Sequence, residues 1–488
     1  MRAQTVRRFV LLCASLAPFA CVTTSSNPQA QAFDAGPLPG FDGQAPFDGA
    51  VPGDAAIPDA LLPDAAGVAN VTVMGTDGLP KGGVMVVFQD AAGAVVATQT
   101  TGADGRASSA VADGSMITVA VGGPGARELV TFLGIKNGDD IVALDVMPRP
   151  SAFPSVAVTP PGGAPTAATS YYAYAGDCNT SSAPPVQPIA VFLDAPCLNA
   201  GKAPLVALAL DGNQGVLAWT SATGVAVLAT DGGTAIAPPL PAWSLAFGSV
   251  NVSVTNVPAT APSLALVNAE LAGGVALHQS ALPAPTEGAA SASLRTLPGY
   301  ADSFQPEAQI VRSNGGGPRY IQSVSFVAKN VPPVASGGTV PFDLAQAFPL
   351  IDDAIVDSTL PGQPKLTWTA AGALTGAQGG FARMTWTASQ QDGSLESSGW
   401  SFVFPASTAR LAAPVVPASL AAWTPGNETV QLDAVGFFAV DAVASYEALL
   451  SRYPGYIPRV GYRAGLEFVT PPLPSGVTMR GVFAHPNG

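Results

Sequence analysis

The sequence predicts a mainly β protein, an N-terminal β-sandwich followed by one or two larger β-sandwich domains with little helix. Three observations carry that expectation. Only 11% of the 488 residues are charged, too few for the salt-bridged faces of many long helices. The chain holds 53 Gly and 47 Pro, the residues that punctuate turns and interrupt helices. Between them lie short apolar runs alternating with a period of two, the pattern of half-buried strands.

The first folded region begins near Gly67. Val68 to Met74, Gly82 to Phe88, Val95 to Thr101, Ile117 to Val121, Leu129 to Leu133 and Ile141 to Val146 read as strands. Asp77-Gly78-Leu79-Pro80, Gly93 and Asp104-Gly105 supply the turn chemistry between them. Six or seven short strands in about 80 residues make a β-sandwich. Val71-Thr72-Val73 with Gly75-Thr76-Asp77-Gly78-Leu79-Pro80, then Gly83-Val84-Met85-Val86-Val87 and Thr101-Gly102-Ala103-Asp104-Gly105, resembles the carboxypeptidase regulatory-like, or bacterial Ig-like, domain. The resemblance covers residues 67–148. It implies a spacer or interaction module in an exported protein and brings no catalytic residues with it.

From Arg149 onward the pattern stays β, and Pro160-Pro161-Gly162-Gly163 marks a boundary. The remainder divides into β-rich regions 149–288 and 289–488, or forms one unit. Trp219, Trp368, Trp386 and Trp400 sit in alternating strings, where tryptophan serves as core or cross-strand partner. Helix is expected only at Asp343 to Asp353 and Asp441 to Arg452, the latter with an Asp start and a Pro just beyond its end.

The N-terminus speaks to location. Arg2, Arg7 and Arg8 form a basic start, Phe9 to Ala20 an apolar stretch, and Cys21 follows a small residue. Residues 1–20 therefore resemble a bacterial lipoprotein signal, which implies a lipid on Cys21, anchorage to a membrane, and an outer-membrane or cell-surface location. Ordinary secretion is the other route, with cleavage after Ala30-Gln31-Ala32 leaving Phe33 first. Residues 21–66 carry Asp34, Asp42, Asp48, Asp54, Asp59 and Asp64 among Pro, Ala and Gly, with no basic residue between Arg8 and Lys81. That composition reads as a disordered acidic tether. Its Asp residues are spaced too widely for a calcium loop. After the signal no apolar run is long enough for a transmembrane helix.

Net charge of −13 without a Lys/Arg cluster argues against a nucleic-acid partner. Of the four Cys, Cys13 leaves with the signal and Cys21 takes lipid, so Cys178 and Cys197 are expected to form a disulfide in an oxidising compartment. Two His, no C-x-x-C and no H-E-x-x-H leave neither a zinc site nor a Ser-His-Asp system legible, and no cofactor is expected. Tyr171, Tyr172 and Tyr174, near Cys178, are the candidate ligand-contact aromatics. The expected function is that of a non-enzymatic cell-envelope lipoprotein with a structural or adhesion role, its partner an envelope or extracellular protein or a polysaccharide. Two alternatives stand beside it. One is a secreted carbohydrate-binding protein. The other is a hydrolase whose carboxylate pair, drawn from acids such as Asp352, Asp353, Asp357, Glu307 or Glu396, converges in the C-terminal region.

Overall fold

The computed structural model describes residues 67–75, 79–123, 126–145, 155–163, 165–175, 178–183, 188–192, 202–212, 216–226, 234–236, 239–258, 263–272, 275–281, 288–300, 303–313, 321–332, 337–389, 395–452, 459–463, 467–469 and 473–486. The signal, Cys21, the acidic segment and Cys197 lie outside these ranges, and so do the expectations placed on them. The protein is mainly β, as its composition and periodicity predict.

Residues 67–148 fold as β1 (Ala69–Met74), β2 (Met85–Gln89), β3 (Val95–Thr100), β4 (Arg106–Ser109), β5 (Ser115–Gly123), β6 (Ala126–Ile135) and β7 (Asp140–Leu144). Strands β4-β1-β7 make one sheet, and β6-β5-β2-β3 lie in the sheet facing it. Strand β4 has a single apolar residue, Ala107, and escapes a periodicity search; its backbone pairs with β1 from Ala69↔Ser109 to Thr72↔Arg106. Gly105 opens it with φ +73°, where a Cβ would press on the Val73 carbonyl, so the Asp104-Gly105 turn admits only glycine without strain.

The next strands are β8 (Ser155–Val158), β9 (Ser170–Ala175), β10 (Cys178–Ala183), β11 (Ile189–Phe192), β12 (Lys202–Leu210), β13 (Val216–Ala226) and β14 (Thr234–Ile236). They form two sheets, β10-β9-β12-β13 and β11-β8-β14, around a core of Val156, Ile189, Leu205 and Ala218. Then come β15 (Gly248–Thr255), β16 (Ser263–Ala272), β17 (Val275–Ala281), β18 (Ala289–Thr296), β19 (Ser303–Ser313), β20 (Ile321–Lys329) and β21 (Gly338–Asp343). The C-terminal part contributes β22 (Ile351–Asp357), β23 (Lys365–Ala370), β24 (Gly379–Ser389), β25 (Leu395–Pro405), β26 (Arg410–Ala412), β27 (Gln431–Val440), helix α1 (Tyr446–Leu450), β28 (Arg459–Arg463), β29 (Glu467–Val469) and β30 (Thr478–Pro486).

One sheet of twelve strands joins residues 67–148 to strands of the β15–β21 and C-terminal parts, in the order β17-β16-β19-β20-β30-β27-β24-β25-β6-β5-β2-β3, while β8–β14 keep to their own two sheets. Its junction is a parallel pairing of β6 with β25, from Ala126↔Ser397 to Phe132↔Val403. The 67–148 strands and the C-terminal strands therefore share a sheet and both of its cores. On one face, Val86, Phe88, Ile117 and Phe132 join Phe381, Phe438 and Phe483, beneath Val71 and Ile141 of the small sheet and Leu449 of α1. On the other, Val87 and Leu129 join Trp400, Phe404 and Phe437 under Ile351, Leu366 and Leu411 of the sheet β22-β23-β26. Burying each such aromatic or aliphatic side chain stabilises by about 1.5–3 kcal/mol.

Both helix expectations are revised. Asp343 does cap a helical turn, accepting from the Ala345 N–H at 2.9 Å, but the turn is a 3-10 helix over Leu344–Gln346. Pro349 follows it, and the chain resumes as strand β22. In the second segment Asp441 accepts from the Thr478 N–H at 2.9 Å beside β27, and helix begins only after Ser445, whose hydroxyl caps α1.

Three glycines lie directly beneath phenylalanine rings on adjacent strands. The pairs are Gly380↔Phe404, Gly436↔Phe483 and Gly481↔Phe326, and a Cβ on any of these glycines would collide with the ring. The glycines let the rings lie flat along the sheet. Gly436→Ala should therefore lower unfolding free energy by about 1–3 kcal/mol, the cost of overpacking, measured by denaturant titration. Wild-type stability in that variant would refute the interlock.

Helix α1 is tied to the β6–β7 turn by Lys136 Nζ and Glu447 Oε1, 2.8 Å apart. Lys136, with Ser445 behind it, holds the Glu447 carboxyl at about 2, below its ordinary 4.5. A depressed carboxylate stabilises the fold above its unfolded value and loses that contribution as pH falls, here from about 4.5 towards 2. Asp139 runs the other way, because burial raises its pKa and acid relieves the cost of its charge. Glu447→Gln should flatten the acid limb of the thermal-stability profile and leave Tm unchanged below pH 2, with Tm measured by calorimetry across that range.

Candidate functional site

The side chains that carry the most specific geometry gather along the β6–β25 seam. Trp400 on β25 is fully buried, and its Nε1–H donates to the Thr131 hydroxyl on β6 at 2.8 Å. Thr131 lies 2.9 Å from the Thr118 hydroxyl on β5. The Gln89 amide on β2, oriented to satisfy both its ends, accepts from Thr118 at 3.0 Å and donates to the carbonyls of Val87 and Met116 at 3.0 and 3.1 Å. All four side chains are fully buried. The protons run one way, from indole to threonine to threonine to amide oxygen, so each buried polar group of the row is paired.

At one end of the seam Arg383 on β24 reaches over β25. Gly399 leaves room for it, since a Cβ there would stand 3.3 Å from Arg383 Nη2. The guanidinium meets Glu128 of β6 at 3.3 Å and Asp433 of β27 at 2.8 Å, and the Ser401 hydroxyl donates to Glu128 at 2.5 Å. Burial opposes the Arg383 charge, and the two carboxylates override it and raise its pKa. At the other end the Tyr446 hydroxyl of α1 lies 2.8 Å from the Leu133 carbonyl of β6 and 3.1 Å from the Val403 carbonyl of β25. Burial keeps this phenol protonated, with its pKa well above the ordinary value.

The sequence-predicted aromatics are placed as follows. Tyr171 and Tyr172 are buried on opposite faces of β9. Tyr171 packs on Trp243 with ring centroids 5.2 Å apart, and burial raises its pKa. Tyr172 and the half-buried Tyr174 pack with Trp219, Leu297 and Tyr300. Trp219 and Trp386 are buried, and Trp368 lies between Phe404 and Phe437 at centroid distances of 5.4 and 5.7 Å. Cys178 opens β10, but its pairing with Cys197 falls outside the described residues.

The acids considered for catalysis are engaged. Asp352 pairs with Arg312 at 2.7 Å, and Glu396 with Arg127 at 3.1 Å. Asp357 accepts from the N–H and hydroxyl of Thr359 at 3.0 and 2.7 Å, bonds that lower its pKa. Glu307 is buried and accepts from the Gln309 amide at 2.6 Å. Among the described residues no group of three or more His, Cys, Asp or Glu is placed to hold a metal ion, and no helix is long and apolar enough to cross a membrane. Sequence reasoning missed Arg383, Glu128, Asp433, Thr131 and Gln89. The one available signal was the scarcity of charge, which makes an Arg in an apolar strand such as Phe381-Ala382-Arg383-Met384 conspicuous.

No family model matches the chain, and no curated protein matches it. Among solved structures, the Bacillus anthracis TIE protein aligns at 9% identity over 57% of this chain and 50% of its own, with a TM-score of 0.15. This chain thus spans half the length of that protein. BcpA, the major pilin subunit of Bacillus cereus, aligns at 8% identity over 57% of this chain and 98% of its own, with a TM-score of 0.14. E. coli alpha-2-macroglobulin aligns at 11% identity over 74% and 26%, with a TM-score of 0.10. Scores this low do not amount to a shared fold.

Trp400→Phe keeps a ring in place and removes the indole donor, leaving the threonine row one proton short. It should cost about 1–3 kcal/mol, the penalty for an unsatisfied buried group. A double-mutant cycle with Thr131→Val should return a coupling energy of about 0.5–3 kcal/mol, and additive losses would show the two residues to be independent.

Proposed function

We propose that the chain is a non-enzymatic, exported cell-envelope protein, anchored through a lipid on Cys21, with a structural or adhesive role. The observation that carries this reading is the use to which the fold puts its few charges. Glu128 and Asp433 with Arg383 and Glu396 with Arg127 tie one strand to another, Glu447 with Lys136 ties helix α1 to the β6–β7 turn, and Asp145 with Lys81 ties the residue after β7 to the segment before β2. These groups are spent on holding the sheets together. The basic start, apolar stretch and Cys21 of the first residues support export and acylation, and the turn residues of 67–148 support a spacer or interaction module. The segment between Cys21 and Gly67 would let the folded part stand up to about 150 Å from the membrane when fully extended.

The mass of the mature N-terminal peptide, from membrane fraction and medium, tests the proposal with Cys21→Ala as control. The expected result is an acylated Cys21 peptide in the membrane fraction that disappears in the variant. An unmodified N-terminus at Phe33, recovered from the medium, would sink the anchor.

A further inference from the structure

Strand directions place the two ends of the folded chain at opposite ends of the sandwich. The chain enters at Gly67, where the Gly138 N–H donates to the Val68 carbonyl at 2.9 Å, so β1 starts at the end where β6 finishes. Strand β6 runs parallel to β25, and the sheet then alternates direction through β24, β27 and β30. Strand β30 therefore finishes, at Pro486, at the end where β6 begins. A pull between the entry and the exit is thus applied to β1 at its start and to β30 at its finish, at opposite strand ends, so each is loaded against its ladder partners and not peeled from them.

Both terminal strands are held on two sides. Strand β1 lies between β4 and β7, with four and five paired positions. Strand β30 lies between β20 and β27, with nine and six. Axial load strains every bond of a ladder together, whereas load applied at adjacent strand ends opens them one at a time. Sliding meets a steric stop as well. Drawing β30 two residues toward its exit would bring Ala434 under the Phe483 ring in place of Gly436, and Met479 under the Phe326 ring in place of Gly481.

We propose that the fold is load-bearing, carrying tension from the N-terminal tether to an attachment at the far end of the sandwich. Its biological use rests on the anchored, adhesive reading above; the mechanical property itself does not. The test is single-molecule force spectroscopy on the mature full chain. One set of pulls joins the N-terminal segment to a handle at Gly488. The other joins the N-terminal segment to a click handle introduced at exposed Ala110, beside the point where β1 begins. The unfolding force for the first geometry should be several-fold higher than for the second, at equal loading rate. Equal forces, or a lower axial force, would overturn the proposal. Either of those outcomes leaves the anchor standing, because the mass of the mature peptide decides that separately.

Discussion

The parallel pairing of β6 with β25 is the constraint on which the rest of the structure depends. Without it β6 would be a sheet edge with unpaired N–H and C=O groups, and each core would end at an open side. With it, both cores run unbroken from β2 through β5, β6, β25, β24 and β27 to β30. Three independent contacts guard the pairing along its length: the Arg383 clamp at one end, the Trp400 to Gln89 row in the middle, and Tyr446 at the other end. Each uses a polar group that would be costly to bury alone, so each rewards only the correct partner strand in the correct register.

The same logic explains the composition. A chain with few charges and many glycines would ordinarily have poorly specified strand registers. Here Arg383, Glu128, Asp433, Arg127 and Glu396 sit where strands distant in sequence meet, and several glycines lie under rings, as Gly436 lies under Phe483. A one-residue slip would turn both devices to the wrong face, which is a strong penalty against alternative pairings. Specificity is thus written in a handful of positions, and the many Ala, Val, Ser and Thr residues around them fill a regular sheet.

Much of residues 67–148 was legible because its signals are local. Asp104-Gly105 and Gly93 announce turns, and the runs ending at Met74 and Phe88 announce strands, without reference to anything distant. The partner of β6 was not legible, because parallel pairing between positions about 270 residues apart leaves no local trace. Alternation marked Trp400 as buried without saying that its indole nitrogen needed Thr131. Tyr171 and Tyr172 stood out in the sequence as aromatics near Cys178, and only the pairing of β9 with β12 shows that both faces of their strand are covered. Pro349 could have argued against the helix expected there, since it cannot contribute the N–H that a helix continuing through it would use.

Hydrogen exchange of the full chain in graded denaturant, read by mass spectrometry on peptides from β2, β5 and β6 and from β24, β25 and β27, tests most directly whether the seam makes these strands one cooperative unit. If it does, both sets lose protection at the same denaturant concentration and with the same apparent free energy. Retained protection in β2, β5 and β6 after β24, β25 and β27 have exchanged would contradict the account and show that residues 67–148 stand as a separate domain.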